Sequence, residues 1–459
     1  MSAHVGRAFA VHWSEVERWS PGSFRQMDWM WPREIIRPLS AALRRRFEVV
    51  DRAEHPLDSL TFGSLHFTGE LSQRDMSSTL EFKGKLCFAH ANDVVYSKID
   101  ARNGAIGIVP ESMPRVVFSS EYPIYEVDTA VALPEYVKLL FRMASFRERI
   151  NSLISGASGR KRVEPSTLES IEVPVPPLAT QRAIVAHWQA TQEKNAAALK
   201  AADEHEADIR WEFLEKLGLS GHVQTATKRA FALKWTEIER WGVDSLRKAV
   251  EAIDPAKGRY SAVALGSILG LVQYGTSEKA NTEGSGTPVL RMNNVHEGVL
   301  RLHPLKHIQL PAKEQEHLLL KEGDILFNRT NSKELVGKCG VFHEQGDYVY
   351  ASYLIRVRTK PEIADPDFIA FIINGPIGRQ QIDSMSRQII GQANVNSQEL
   401  RSLRIPLPPL PIQKQLVAEV TTARTRIAAE RAAAAKLAAE TAREVEAMIL
   451  GQLPAPAFH

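Results

Sequence analysis

The chain is predicted to be mixed α/β (α+β), with two homologous domains separated by two long antiparallel coiled-coil helices and related by a pseudo-two-fold internal repeat. Three pairs of stretches predict this. Phe9 to Trp19 reads FAVHWSEVERW and Phe231 to Trp241 reads FALKWTEIERW, with both tryptophans at the same spacing. Asp93 to Lys98 reads DVVYSK, and Asp324 to Arg329 reads DILFNR. From Val173 the chain reads VPVPPLATQRAIVAHW, and from Ile405 it reads IPLPPLPIQKQLVAEV. Landmarks that recur in one order, at offsets of 222, 231 and 232 residues, mark a tandem duplication. About ten residues have been gained between the outer landmarks in the second copy, or lost from the first.

Taken in order, each half begins with its tryptophan-bearing stretch. The DVVYSK and DILFNR segments alternate apolar and polar residues, as half-buried strands do. Each opens into a polar loop, residues 99–104 in one half and 330–333 in the other, and a further strand follows (GAIGIVP from Gly104, VGKCGVF from Val336). At the two proline corners, a Pro pushes its predecessor toward extended geometry, and a Pro in a first helical turn lacks only an N–H that would go unbonded. Each corner therefore reads as strand end, rigid turn and helix start. The helices run over 178–217 and 410–450, about 60 Å each. In the second, Leu416, Val420, Ala423, Ile427, Ala434, Leu437, Val445 and Met448 follow the 3-4 rhythm of a coiled-coil seam. In the first, Ile184, Trp188, Ala198, Ala202, Ile209 and Phe213 fit one stripe, which Asn195 and His205 interrupt. Gly218 and Gly221 stop that helix. Neither apolar stripe is stable alone in water, so the two helices are expected to bury each other, with one domain at each end.

Bulk properties narrow the function classes. The 459 residues, 44% hydrophobic and 24% charged, describe an ordinary globular protein. No apolar run reaches eighteen residues and no basic-then-apolar leader is visible, so neither a membrane span nor a secretory signal is expected. Cys87 and Cys339 are too few for a disulfide framework or a zinc site and point to a reducing cytoplasm. Net charge is +3; residues 1–177 carry 22 basic and 22 acidic side chains and residues 231–409 carry 22 and 20. Charge alone thus neither proposes nor excludes DNA, and a DNA surface must come from local clustering.

No catalytic constellation emerges: there is no phosphate loop, no Asn-Pro-Pro-aromatic tetrad and no histidine cluster at metal-ligand spacing. Asp75, Glu81 and Lys83 loosely imitate a metal nuclease, but Glu81 has no counterpart in the second half. What recurs is polar and basic chemistry on loops. Arg291, Asn293 and Asn294 lie in VLRMNNV; Asn328, Arg329, Asn331, Lys333 and Lys338 surround the DILF strand and its loop; Arg387, Gln388, Gln392, Asn394 and Asn396 lie in RQIIGQANVNSQEL. Arginine pairs bidentately with guanine, and asparagine or glutamine with adenine, so three such loops in one domain suit base-edge reading. Asn and Gly are also plain turn formers. The first half offers Lys98, Arg102 and Asn103, then Arg160, Lys161 and Arg162, while Arg44-Arg45-Arg46 is expected on a helix face.

These landmarks together resemble the specificity (S) subunit of type I restriction-modification enzymes. The resemblance rests on the duplicated PVPPL-x-x-Q and PLPPL-x-x-Q corners with their helices, on GDILFNRTNSKELVGKCGV and on GQANVNSQELRSLRIPLPPL. The first half departs from it: its loop lacks the Gly-Lys of Gly337-Lys338 and no GQANVN precedes its corner. The resemblance implies target-recognition domains over 1–175 and 231–408, helical spacers over 176–217 and 409–453, a linker over 218–230 and a tail over 454–459. It implies a non-catalytic subunit that binds double-stranded DNA with a bipartite site and a non-specific spacer. The implied partners are two adenine methyltransferase (modification) subunits, joined in some complexes of this kind by restriction/translocase subunits. No cofactor is implied for this chain; S-adenosylmethionine, ATP and Mg²⁺ are implied for the partner subunits. Alternatives are a specificity protein of a methylation-only or other methylation-dependent defence system, a coiled-coil scaffold with two ligand-binding domains, and a nuclease acting alone.

Overall fold

The computed structural model describes residues 29–74, 82, 84–153, 162–220, 253–282, 284–296, 298–385, 387–389 and 392–456. The FAVHWSEVERW and FALKWTEIERW stretches, most of the linker, and Asp75, Glu81 and Lys83 lie outside the described residues. The chain forms two compact units. The first takes the described residues up to Leu199 together with those from Ala432 onward; the second spans Lys200–Arg431.

The first unit is built on a four-stranded antiparallel sheet in the order Leu43–Arg46, Ile124–Val127, Val94–Tyr96, Ile106–Ile108. The second has the same order with Leu269–Tyr274, Leu354–Thr359, Ile325–Asn328 and Cys339–Val341. Helices Pro134–Arg142 and Ala144–Leu153 pack in the first, and Pro366–Asn374 and Pro376–Met385 in the second. The DVVYSK and DILFNR segments are therefore interior strands of equivalent sheets. Their alternation is weak because apolar side chains are buried on both faces, as for Ile325, Leu326 and Phe327.

One buried carboxylate recurs beneath each sheet. Asp93 accepts the His90 N–H at 2.8 Å, and Asp324 accepts the Lys321 N–H at 2.8 Å. The arginine that answers the charge differs. Arg46 Nε lies 2.7 Å from Asp93, from the edge strand, whereas Arg358 grips Asp324 with bonds of 2.7 and 2.8 Å from the neighbouring strand. Burial lifts the Asp93 carboxyl above the ordinary range, against the pull of the His90 N–H and Arg46. Arg44-Arg45-Arg46 thus belongs to the strand Leu43–Arg46, not to a helix face. Arg46 turns inward to Asp93, while Arg44 reaches Asp128 at 2.8 Å and Arg45 lies over Phe47.

The proline corners form as expected. Glu172–Pro174 pairs with Ile36–Pro38, and Arg404–Pro406 with Ala262–Ala264. The helices that follow run over Leu178–Lys216 and Leu410–Leu450. Both corners are closed by a fully buried glutamine. Gln181 accepts the Leu133 N–H at 2.9 Å and donates to Val131 O at 3.0 Å and Pro176 O at 2.8 Å. Gln413 accepts the Asp365 N–H at 2.9 Å and donates to Ile363 O at 3.0 Å and Pro408 O at 2.7 Å.

Within each unit, stretches of the two long helices pack against each other. In the second, Arg431 bridges Asp203 at 2.7 Å and Glu206 at 2.9 Å, His205 meets Glu430 at 3.2 Å, and Lys216 meets Glu419. Rising numbers on one helix meet falling numbers on the other, so the packing is antiparallel. In the first unit His187 lies 3.0 Å from Glu444, and Ile184 and Val185 join Val445, Met448 and Ile449 in one core. Leu416, Val420, Ile427, Ala434, Val445 and Met448 are buried as the seam requires. Leu437 and Ala198 are exposed, and Thr191 and Thr441 are buried instead. A left-handed Gly218 (φ 74°) ends the first helix, with Leu219 N–H returning to Leu214 O.

Replacing Gln413 by leucine would strand two buried carbonyls and one N–H. The expected cost is about 3 kcal/mol, since each unanswered buried group costs roughly 1–3 kcal/mol. The denaturation midpoint of the second unit should fall, and the Asp365 amide should lose its protection from hydrogen exchange. An unchanged midpoint and amide would show that the corner does not depend on this side chain.

Candidate nucleic-acid interface

In the second unit the strand Ile325–Asn328 delivers Arg329 to a crossing of three segments. The Arg329 N–H donates to Tyr353 O at 3.0 Å, and its carbonyl accepts the Val395 N–H at 2.9 Å. Its guanidinium lies 5.0 Å from the centre of the Tyr274 ring, a cation–π distance. The Tyr274 hydroxyl in turn accepts the Ser397 N–H at 3.0 Å. Tyr274 is 41% exposed and Tyr353 49%. The Arg329 head makes one long contact, to Ser352 O at 3.5 Å, and its Nε has no hydrogen-bond partner.

Beside it, Thr330–Asn331 pairs with Gln392–Asn394, which also pairs with Arg387–Ile389. Asn394 accepts a hydrogen bond from the Thr330 hydroxyl, and Asn331 accepts the Ser332 N–H at 2.8 Å. The structure thus brings Arg329, Asn331 and Asn394 together with two tyrosines. Gln392 shares that ribbon, and its side chain lies outside the described residues, as do those of Arg387 and Gln388.

The other candidates fall elsewhere. Asn294 is buried; its Oδ1 accepts the Arg291 N–H at 3.0 Å and its Nδ2 donates to Arg301 O at 2.8 Å, so it staples a turn instead of facing outward. Asn328 is also buried, inside its strand. Asn396 caps the helix Ser397–Ser402, accepting the Gln398 and Glu399 N–H groups at 2.8 and 2.9 Å. Asn294 and the Asn396 oxygen are thus engaged in holding the fold, whereas the Asn328 Oδ1 is buried without a hydrogen-bond partner. Asn293 and Lys333 are exposed, and Arg291 is half-buried with an unpartnered Nε. Lys338 lines a cleft of about 370 Å³ with Asp203, Glu206, Arg424 and Arg431.

In the first unit the framework repeats. Lys98 N–H donates to Glu121 O at 3.2 Å and its carbonyl accepts the Val163 N–H at 2.7 Å, so Lys98 occupies the place of Arg329. Arg102 lies in the turn Ala101–Asn103, and the exposed Asn103 donates to Asp100 at 3.1 Å. Arg162 pairs with Glu121 at 3.4 Å; Arg160 and Lys161 lie outside the described residues.

Sequence reasoning missed Tyr274 and Tyr353 as residues beside Arg329. An aromatic residue just before Gly275, at the end of a strand, is the cue that was available. Among the described residues no group of His, Cys, Asp or Glu is arranged to hold a metal ion, and no helix is long and apolar enough to cross a membrane. Burial pushes the Cys339 thiol up to about 12, as befits a packed side chain.

Two equivalent units, each joined to a long helix by a proline corner, define a duplicated recognition scaffold. The family description "Type I restriction modification DNA specificity domain" matches residues 68–205 and 260–437, and the chain belongs to that family. It is similar to the type I restriction enzyme EcoKI specificity subunit of Escherichia coli (strain K12), with 27% identity over 278 residues, 60% of this chain and 55% of that one. It is also similar to the StySPI specificity subunit of Salmonella potsdam, with 23% identity over 292 residues, 62% of this chain and 58% of that one. The chain thus spans little more than half the length of these relatives. A solved structure described by complex assembly and conformational transition of the type I R-M system shares the fold, with a TM-score of 0.55 at 18% identity, covering 91% of this chain and 96% of that one.

Arg329→Ala is expected to weaken DNA binding by about 1–3 kcal/mol at a single base position if the guanidinium reads a base, and equally on all sequences if it meets phosphate. Competition binding with single-base variants of the target separates these outcomes. Unaltered affinity on every sequence would remove Arg329 from the interface.

Proposed function

We propose that this chain is the DNA sequence-recognition subunit of a type I restriction-modification complex. It binds a bipartite target with a non-specific spacer: one half-site is read by a domain within residues 1–175, the other by a domain within 231–408. It holds no catalytic residues of its own and positions two adenine methyltransferase subunits, and restriction subunits where they join. S-adenosylmethionine, ATP and Mg²⁺ act on those partners.

The observation that carries this reading is one backbone slot filled by two different cations. Lys98 and Arg329 take the same pair of main-chain hydrogen bonds, yet one offers a point charge and the other a planar fork of donors. A repeat kept for stability alone has no reason to differ at a half-exposed, basic position while its buried glutamines and aspartates stay the same. Readers of two different half-sites do.

Exchanging residues 26–170 for the matching segment of another specificity subunit should change one half-site of the methylated sequence and leave the other intact. Methylome sequencing is the readout. Both half-sites changing together would refute the assignment of one reader to each.

A further inference from the structure

The internal repeat supplies its own comparison around a second spot. Gly104 (φ 100°) and Gly337 (φ 81°) end equivalent turns in left-handed geometry, and equivalent helix pairs pack beside them. In the second unit the cation that those helices place there is engaged. Asn374 ends the first helix and closes its amide on both backbone groups of Cys339, at 3.0 and 2.9 Å. Arg379 on the next helix donates to Val336 O, to Lys333 O at 3.4 Å and to the Asp383 carboxylate at 3.0 Å.

In the first unit the same two places, 232 residues earlier, hold Arg142 and Arg147. Arg142 Nη2 is buried with no hydrogen-bond partner. Burial lowers the Arg142 pKa; Glu70 opposes that and the charge of Arg147 adds to it. Arg147 is exposed, and its guanidinium has no partner among the described residues. The turn Ala101–Asn103 packs on the helix that carries Arg147, and the Nε of Arg102 in that turn is also buried without a partner.

A hairpin closes on the same spot. Its strands, Gly63–Leu65 and Leu71–Gln73, are joined through Gly69 (φ 67°). A Cβ at Gly69 would stand 2.2 Å from Ile106 O and 2.5 Å from the Arg142 guanidinium, and one at Gly104 would stand 2.3 Å from Phe67 O. Glycine at both positions lets the hairpin seat its backbone on the turn. Phe67 is thereby left 63% exposed at the hairpin tip.

The guanidinium groups of Arg142 and Arg147 are close enough to repel each other, with Glu70 as the opposing acid, and Arg102 lies on the turn packed against the same helix, an arrangement that an entering anion would relieve. Guanidinium forks match phosphate oxygens, and an exposed aromatic ring beside them suits a nucleotide more than a lone ion. We propose that Arg102, Arg142 and Arg147 clamp a DNA backbone phosphate in the half-site bound by the first unit, with Phe67 against the adjoining nucleotide. This rests on the DNA-recognition reading above. The clamp sets the register of the first domain on DNA and carries no base preference. The second unit, with Asn374 and an engaged Arg379, lacks it.

The test is DNA affinity of the full chain, in the complex with which it purifies, across a series of salt concentrations. Arg147→Ala removes an exposed side chain with no structural partner, and Arg142→Asn installs the residue that the second unit carries. Each should weaken binding by the same factor on target and altered sequences. The slope of log affinity against log salt should flatten by about 0.9 for the lost phosphate contact. Arg147→Lys should recover most of the slope. Unchanged slope and affinity in Arg147→Ala and Arg142→Asn, with Arg329→Ala still impaired, would overturn the clamp and leave DNA recognition standing. Loss of a partner subunit with intact DNA affinity would overturn it in favour of a protein contact. Absence of sequence-dependent binding by the unaltered chain would remove the recognition reading, and the clamp with it.

Discussion

Each half of this protein is tied to its long helix by the side-chain amide of one buried glutamine. The proline run that makes each corner rigid also removes backbone donors, so the carbonyls of Pro176 and Pro408 have little local help. Gln181 and Gln413, five residues on and already in the helix, fold back to answer them. The same amides capture one carbonyl and one N–H from the loop before the first packed helix of each domain. Corner, loop and helix start are thus fixed by one group that uses both its N–H donors and its oxygen, and an apolar residue of that size would leave all three partners unanswered. Retention of this amide in both copies, among sequences that otherwise differ widely, follows from that constraint.

Where the demand is looser, the copies have drifted. Asp93 and Asp324 each hold the N–H three residues before them, which fixes the acid in place. A buried carboxylate needs a cation, but the adjacent strand or the edge strand beyond it can supply one, and the copies differ in which does. Arg147 and Arg379 show the converse: the residue stays and its partners change. The interior therefore preserves functions of groups and not residues, while the surface over the same sheet is free to differ. A scaffold of that kind can carry two recognition surfaces without paying twice for a fold.

Much of this architecture was legible in the sequence because it rests on local chemistry repeated in order. The proline corners, both long helices and the DILF strand are read from turn residues, length and apolar pattern alone. The helix seam was legible except at Ala198 and Leu437, where the buried positions pass to Thr191 and Thr441; a threonine whose hydroxyl returns to a backbone carbonyl, as Thr191 does to His187 O, hides in an apolar seam. Arg44-Arg45-Arg46 misled because three like residues carry no period, so strand and helix are equally written in them. The asparagines of the loops were legible as loop residues but not by role. Asn294 stapling a turn, Asn396 capping a helix and Asn331 beside Arg329 look alike in sequence, since all three occupy turns for the same conformational reason.

The distinction that sequence could not draw is between a cation that has finished its bonding and one that has not. Arg358 and Arg379 are committed, each held by a carboxylate and Arg379 by two carbonyls as well. Arg329 is different: its main chain is pinned on both sides and its head rests over Tyr274, yet most of its donors are unanswered. A guanidinium so held has lost much of its conformational freedom before any ligand arrives, and that loss is then not charged to binding. The ring beneath it supplies attraction without consuming an N–H. Lys98, in the same slot, has no planar fork, and among the described residues no ring makes a cation–π contact with it, so the equivalent place in the first unit presents charge without direction. Directional donors favour a chosen base edge and undirected charge favours phosphate, so the duplicated framework offers two different chemistries at one address.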